Sequence, residues 1–378
     1  MKHALIVAVL LLGLPSVVAG PARPGTPPKA GGKVTVENVV SLPKDLRMPA
    51  RLSPDGKQVL CTKREKDRKL AYYLVSLDGK TQTKLYQTAI TWDDLLGMAF
   101  GQGMWSPDGK RVAVMTADDD RGRNPRMAVY DLEAKQATLL PCDRQSTLGA
   151  VFVSNDAVCY MDSTDLKDER RIAGSLRRYD VRTKKAETLA EYDPGMVACL
   201  TASPDRSRLG GLIIRPKGPD KREPAFRVWA FELATKKTVQ SQAIHTDDYA
   251  GDTIVIFWGA DGKALYLNGD LDPDARAKRG KREFSILRFE PFAEAGARLT
   301  ALQEGRSMLT MGAFGPGKLS VTDRKERRKG AKGGVLDVKT DTVRELNPAL
   351  LLLDRRGDAG LFIRLLTEDL ATAKLGWQ

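Results

Sequence analysis

Short apolar runs separated by polar turns fill the chain from Val34 onward, and the runs are spaced for strands. Arg111-Val112-Ala113-Val114-Met115 is close to continuously apolar, the pattern of a strand covered on both faces. It leaves the turn Ser106-Pro107-Asp108-Gly109-Lys110, in which Pro presets φ at the second position and Gly supplies a left-handed residue. Variants recur at Ser53-Pro54-Asp55-Gly56-Lys57, Ser154-Asn155-Asp156, Ser203-Pro204-Asp205-Arg206, Gly259-Ala260-Asp261-Gly262-Lys263, Gly315-Pro316-Gly317-Lys318 and Asp354-Arg355-Arg356-Gly357. A second anchor, an apolar strand ending in an acid, follows each of the first six turns, at Asp78, Asp131, Asp180, Glu232, Glu290 and Asp337. Two anchors recurring in register mark an internal repeat.

Each repeat reads as four strands, A to D. A precedes the turn, as in Ile254–Trp258, B follows it, and C and D flank the acidic anchor. Repeats of about 40 to 55 residues with four short strands are the signature of propeller blades. The expected fold is therefore all-β: a single β-propeller of four-stranded antiparallel blades, seven in number, with six as the alternative. The last repeat, from about Pro348, is short, so Val34–Val40 is expected to complete it and tie the two ends of the chain together. Two segments look helical instead, Trp92–Met98 and Thr367–Lys374. Trp105 and Trp258, on A strands, are expected to be packing residues.

The N-terminus changes the compartment. Lys2 followed by an apolar run from Ala4 to Leu14 and a small-residue exit reads as a secretory signal peptide, residues 1–19, too short to span about 30 Å of hydrocarbon. Residues 20–33 form a Pro/Gly-rich linker, and 34–378 the propeller. The expectation is an exported, periplasmic or extracellular monomer with no transmembrane span in the mature chain. In that compartment Cys61, Cys142, Cys159 and Cys199 could pair in three ways. Buried free thiols are the favoured reading, with Cys159–Cys199 as the best candidate bridge.

The SPDGK turns resemble the TolB-like, WD-repeat-like propeller repeats of bacterial envelope proteins, from about Val34 to the C-terminus. The stretch Val39–Pro43 through Leu52–Gly56 also looks like the start of the propeller in acylaminoacyl-peptidase-type prolyl oligopeptidases. The resemblance implies a fold. TolB's α/β domain and its Tol–Pal partner are not implied, because only the linker stands before the repeats. The peptidases' hydrolase domain has no counterpart in this sequence.

Chemistry narrows the options. After signal removal His245 is the one histidine, and no G-x-S-x-G elbow occurs. The oligogalacturonate lyase type, similar in its repeats, binds metal through several histidines, which this chain lacks. Paired carboxylates can still act as acid and base. The candidate site lies in the loops from strand D to the next strand A, which lead into the central channel: Trp92, Asp93 and Asp94; Asp193; and His245, Asp247, Asp248, Tyr249 and Asp252. No cofactor is predicted, although these oxygens would suit Ca2+. The sequence favours a non-catalytic binding or scaffold propeller, with a carboxylate-dependent enzyme acting on a carbohydrate or peptide as the alternative.

Charge adds a surface. The chain carries 61 Lys and Arg against 48 Asp and Glu, a formal +13, and much of the excess falls in the B–C hairpins. The richest are Lys63–Lys69 at +3 and Asp323–Lys332 at +4. Lys63, Arg64, Arg68, Arg324, Lys325, Arg327 and Arg328 should form a basic rim. Its expected partner is an extracytoplasmic protein, a peptide or an anionic envelope component. Nucleic acid is not expected, because the basic loops lack interleaved aromatics.

Overall fold

The computed structural model describes residues 34–65, 69–91, 104–117, 125–163, 173–192, 195–215, 225–246, 255–272, 285–303, 308–323, 333–346, 350–356, 358–364 and 370–377. Every regular element among them is a β-strand. β1 (Val34–Ser41) pairs far along the chain, as described below. β2 (Leu46–Leu52), β3 (Gln58–Arg64), β4 (Lys69–Ser76) and β5 (Gln82–Thr91) form an antiparallel sheet in chain order. β6 (Arg111–Ala117), β7 (Pro125–Asp131) and β8 (Gln136–Leu139) form the next, with Trp105 bridged to Val112 in the A position. β9 (Ser146–Phe152), β10 (Ala157–Ser163), β11 (Gly174–Asp180) and β12 (Lys185–Tyr192) repeat the plan.

β13 (Met196–Ala202), β14 (Arg208–Arg215), β15 (Ala225–Glu232) and β16 (Lys237–Thr246) follow, then β17 (Ile256–Trp258), β18 (Leu265–Asp270), β19 (Ser285–Glu290) and β20 (Arg298–Leu302). These two groups are fused by a short pairing of His245 with Asp270 and Thr246 with Gly269. β21 (Met308–Gly315), β22 (Lys318–Asp323), β23 (Gly333–Asp337) and β24 (Thr342–Leu346) form another sheet. The last contains β25 (Leu350–Arg356), β26 (Ala359–Arg364) and β27 (Leu370–Trp377), with β1 as its outer strand: Val34 faces Trp377 and Ser41 faces Ala371. The N-terminal strand thus completes the C-terminal sheet, as the short last repeat required.

The segment expected to be helical, Thr367–Lys374, lies in β27 from Leu370 onward. Leu370–Ala373 are buried between β26 and β1, and that double-sided burial overrides a weak helical pattern. Trp92–Met98 lies outside the described residues.

Apolar clusters between successive sheets hold the ring. Leu60 and Tyr72 meet Trp105 and Val112; Met115 and Val129 meet Phe152 and Tyr160; Met161 and Leu176 meet Leu209 and Trp229. The series returns to its start where Leu353, Leu361 and Leu370 pack on Leu46, Leu52 and Val59. Trp258 and Trp105 are buried, and each large side chain removed from water contributes about 2–3 kcal/mol. Neighbouring first strands touch, β9 with β13, β13 with β17, β17 with β21, β21 with β25 and β25 with β2, so they line the inside of the ring.

The turns between strands A and B close on themselves. Ser106 Oγ donates to Asp108 Oδ1 at 2.6 Å and accepts from Arg111 N at 2.9 Å, while Asp108 Oδ1 accepts from Lys110 N at 3.0 Å. Gly109 N donates to Ser106 O, and its φ of 72° is the left-handed conformation the sequence implied. Ser53 to Gln58 and Ser203 to Arg208 repeat these bonds, except that Arg206, with φ of 61°, holds the glycine position in the second. The last hairpin departs from the pattern: β25 runs on to Arg356, which pairs with Ala359.

None of the four cysteines is in a disulfide, and the Cys159–Cys199 bridge is not formed. Burial pushes Cys61 and Cys159 up to about 12, so neither is a ready nucleophile.

Candidate functional site

Strand order puts the A–B turns at one end of the blades and the described D–A segment 140–146, with the facing ends of β3 and β4, at the other. Of the site residues expected at that second end, Trp92, Asp93, Asp94, Asp193, Asp247, Asp248, Tyr249 and Asp252 lie outside the described residues, as do Arg68, Arg324, Lys325, Arg327 and Arg328 of the rim. His245, half-buried near the end of β16, faces Asp270 across the pairing that fuses two blades. At the end of β3, Arg64 is exposed. Lys63 donates to Asp45 at 2.5 Å, and its ammonium lies 5.7 Å from the centre of the Tyr73 ring. Tyr73 in turn donates to Glu65 Oε1 at 2.6 Å, and Lys84 approaches the same carboxylate at 3.4 Å. This corner of the rim therefore consists of paired charges with Arg64 beside them.

The most developed polar cluster at this end was not among the expected residues. Strand pairing places Thr147, Asp162, Ser175 and Glu191 in one row across β9 to β12. Residues directly opposite one another share a face of the sheet. Asp162, only 1% exposed, accepts from Asp143 N at 2.8 Å, from Arg144 N at 3.1 Å and from Arg177 Nη1 at 3.1 Å. The same Nη1 donates to Asp143 Oδ2 at 2.5 Å, so two carboxylates share one guanidinium. Burial works against the charge of Arg177, but Tyr160, Asp162 and Asp143 outweigh it and raise its pKa. Beside them Glu191 Oε2 accepts from Ser175 Oγ at 2.7 Å and from Arg144 Nη2 at 3.0 Å.

The network fixes the D–A segment 140–146. Asp162 holds its backbone at residues 143 and 144, Tyr160 donates to Pro141 O at 2.8 Å, and Arg126 Nη2 donates to Leu140 O. Cys142 Sγ donates to Asp162 Oδ1 at 3.5 Å, and burial together with that carboxylate pushes its thiol up to about 11. A carboxylate whose oxygens are committed to a guanidinium and two backbone N–H groups has little capacity left to take a substrate proton, so Asp162 is an anchor. Among the described residues no three His, Cys, Asp or Glu side chains stand together as a metal site.

A signal for the cluster was present in the sequence. β10 is buried at every position, yet it carries Asp162, and β11 carries a buried Arg177 directly after the buried Leu176. Charges inside otherwise apolar strands demand partners.

No protein-family model matches the chain, and no curated protein does. Solved structures do. The β-propeller domain of the trilobed protease from Pyrococcus furiosus, described as having an open velcro topology, aligns with a TM-score of 0.53 at 12% identity, over 88% of this chain and 96% of that one. An oligogalacturonate lyase in complex with manganese aligns at 0.52 and 15% identity, over 91% of each chain. A prolyl endopeptidase aligns at 0.52 and 15% identity, over 91% of this chain and 50% of that one. Likeness at this identity establishes fold: the chain is a β-propeller, as its TolB-like repeats implied.

Proposed function

We propose that the protein is an exported, seven-bladed, non-catalytic binding or scaffold propeller that works through the D–A loops and B–C hairpins. The observation that carries the reading is the clamp on residues 140–146: buried Asp162 and Arg177 are spent on holding a loop in place. Loops fixed before a ligand arrives lower the ordering cost of binding. The seven-blade count rests on the strand groups starting at β2, β6, β9, β13, β17, β21 and β25, with β1 completing the last. The basic B–C hairpins give this end an attraction for an anionic envelope component, screened over about 8 Å at physiological salt.

The test is retention of the mature protein on anionic liposomes and heparin, alongside glycan and peptide arrays. Reversing Arg324, Lys325, Arg327 and Arg328 to Glu should abolish retention. Reversing the exposed C–D turn lysines Lys135, Lys184, Lys185 and Lys236 should leave it intact. Equal loss from both sets, or turnover of an arrayed glycan or peptide, would overturn the reading.

A further inference from the structure

Among the chain's five asparagines only Asn268 is followed by glycine, and its carboxamide joins two blades. Asn268 lies on β18, and its side chain reaches the next sheet: Nδ2 donates to Thr310 O at 3.1 Å, and Oδ1 accepts from Thr310 N at 3.0 Å. β21, which carries Thr310, is the edge strand of its sheet, so the two bonds give Thr310 what a neighbouring strand would. Thr310 is buried, and its backbone groups depend on a protein partner.

Asn268 is half-buried and Gly269 buried. Packing demands the glycine. A Cβ at 269 would lie 2.8 Å from His245 O and 2.8 Å from Leu287 Cδ1, and the first of these is backbone that cannot turn aside. Thr246 faces Gly269 and His245 faces Asp270 in the pairing that fuses two blades, so the carboxamide and the glycine serve adjacent joints.

The dipeptide that results is chemically labile. Asparagine is a thermolabile residue, and a following glycine leaves its carboxamide least hindered toward the next backbone nitrogen. Gly269 N attacks Asn268 Cγ: an N–Cγ bond forms, the Cγ–Nδ2 bond breaks, and Nδ2 leaves as ammonia with the proton of the Gly269 amide. Water then opens the succinimide ring at either carbonyl and leaves an aspartate or an isoaspartate. The other asparagines lack this setting. Pro125 and Pro348 follow Asn124 and Asn347 and have no N–H, while Val39 and Asp156, which carry side chains, follow Asn38 and Asn155.

The fold opposes the first step. Side chains of a strand alternate between its faces, and the Asn268 carboxamide is held toward Thr310 by both of its polar atoms. Attack requires those bonds to break and the extended backbone at Asn268 to turn. The product in turn opposes closure. A carboxylate has no donor for Thr310 O, and an isoaspartate adds a carbon to the main chain of β18, which shifts Gly269 and Asp270 out of register with Thr246 and His245.

We propose that Asn268-Gly269 is a deamidation site gated by the joint between β18 and β21: slow while the joint is closed and, once modified, unable to close it again. The site is a property of this joint and does not depend on what the loops bind.

In the experiment the mature protein is incubated at mildly alkaline pH in native buffer and in unfolding denaturant, and mass spectrometry follows the proteolytic fragment that carries Asn268 and Gly269. Deamidation should be at least about tenfold slower in the native protein, because the reaction waits on local opening. Leu319→Ala thins the apolar cluster that Leu319 shares with Tyr266 and Ile286 across the joint, and should speed the native reaction. Leu209→Ala, in the cluster with Met161 and Leu176 at a different joint, should not. Asn268→Asp, the direct product, should lower the thermal midpoint. The comparison of native and unfolded rates uses the unmodified chain and so decides the matter even if a variant does not fold. A native rate equal to the unfolded rate, no acceleration in Leu319→Ala, equal acceleration by both alanine variants, or an unchanged midpoint in Asn268→Asp overturns the proposal.

Discussion

At the A–B end of the ring, Ser106, Asp108, Gly109 and Arg111 satisfy one another within six consecutive residues. At the D–A end, Asp162 draws on Asp143, Arg144 and Arg177, and Arg177 lies 34 positions from Asp143. The first kind of polar structure is local and partly solvated, and the Ser–Asp–Gly bonds of each turn close within it. The second is non-local and buried, and removing one member strands the others. The difference predicts unequal penalties for single substitutions at the two ends.

The largest should come from Asp162→Ala. Arg177 is 9% exposed and would keep only Asp143, whose side chain is largely in solvent, while two backbone N–H groups would lose their acceptor. Breaking a buried pair from one side costs about 3–5 kcal/mol. Denaturant unfolding should show that loss. A cost below about 1 kcal/mol, the range of an exposed ion pair, would mean that the cluster is solvated in solution and that the two ends do not differ in kind.

Gly109→Val should cost less, about 1–2 kcal/mol, because a β-branched residue resists φ of 72°. Space is not the issue: the nearest atom to the new Cβ, Pro54 Cδ, lies at ordinary contact distance of 3.6 Å. An unchanged unfolding midpoint would show that the turn tolerates another conformation, and the local end would lose its defining feature.

The same contrast explains what could be read from the chain. The turn chemistry is written in adjacent letters, so Ser53-Pro54-Asp55-Gly56 and its relatives gave away the repeat, and the short last repeat required β1 to close the ring. Asp162 was legible as an acid ending the apolar run Ala157–Met161, a charge that demands a partner without naming it. Its partnership with Arg177 exists because β10 and β11 pair Tyr160 with Arg177 and Asp162 with Ser175, a register that no local motif states. Arg206 was visible as a departure from glycine in the turn Ser203-Pro204-Asp205-Arg206, but its bond to Phe152 O of the preceding blade was not. Thr367–Lys374 misled for the same reason, since a weak helical pattern says nothing about the strands waiting on either side of Leu370–Ala373.

The smallest expected effect separates the ends by pH. Burial opposes ionisation of Asp205, but the Ser203 and Ser207 hydroxyls, the Ser207 amide and the charge of Arg208 outweigh it, holding its pKa below the usual carboxylate value. For Asp55 burial is likewise outweighed, by the Ser53 hydroxyl and by the amide and charge of Lys57. A carboxyl with a depressed folded pKa contributes stability that is fully present above its unfolded pKa, about 4, and is lost as pH falls through the folded value. The A–B turns should therefore weaken below about pH 4 and be indifferent to pH between neutrality and that point. Ser203→Ala removes the hydroxyl that donates to Asp205 at 2.6 Å and accepts from Arg208 N at 3.0 Å. It should cost about 1 kcal/mol at neutral pH, and the deficit should narrow in acid, where Asp205 is protonated in the folded and unfolded states alike. Unfolding curves at pH values on either side of the carboxylate range check this directly. A deficit that stays constant into acid would assign the hydroxyl's contribution to its bond with Arg208 N alone, and the turn aspartates would then carry no share of the ring's acid sensitivity.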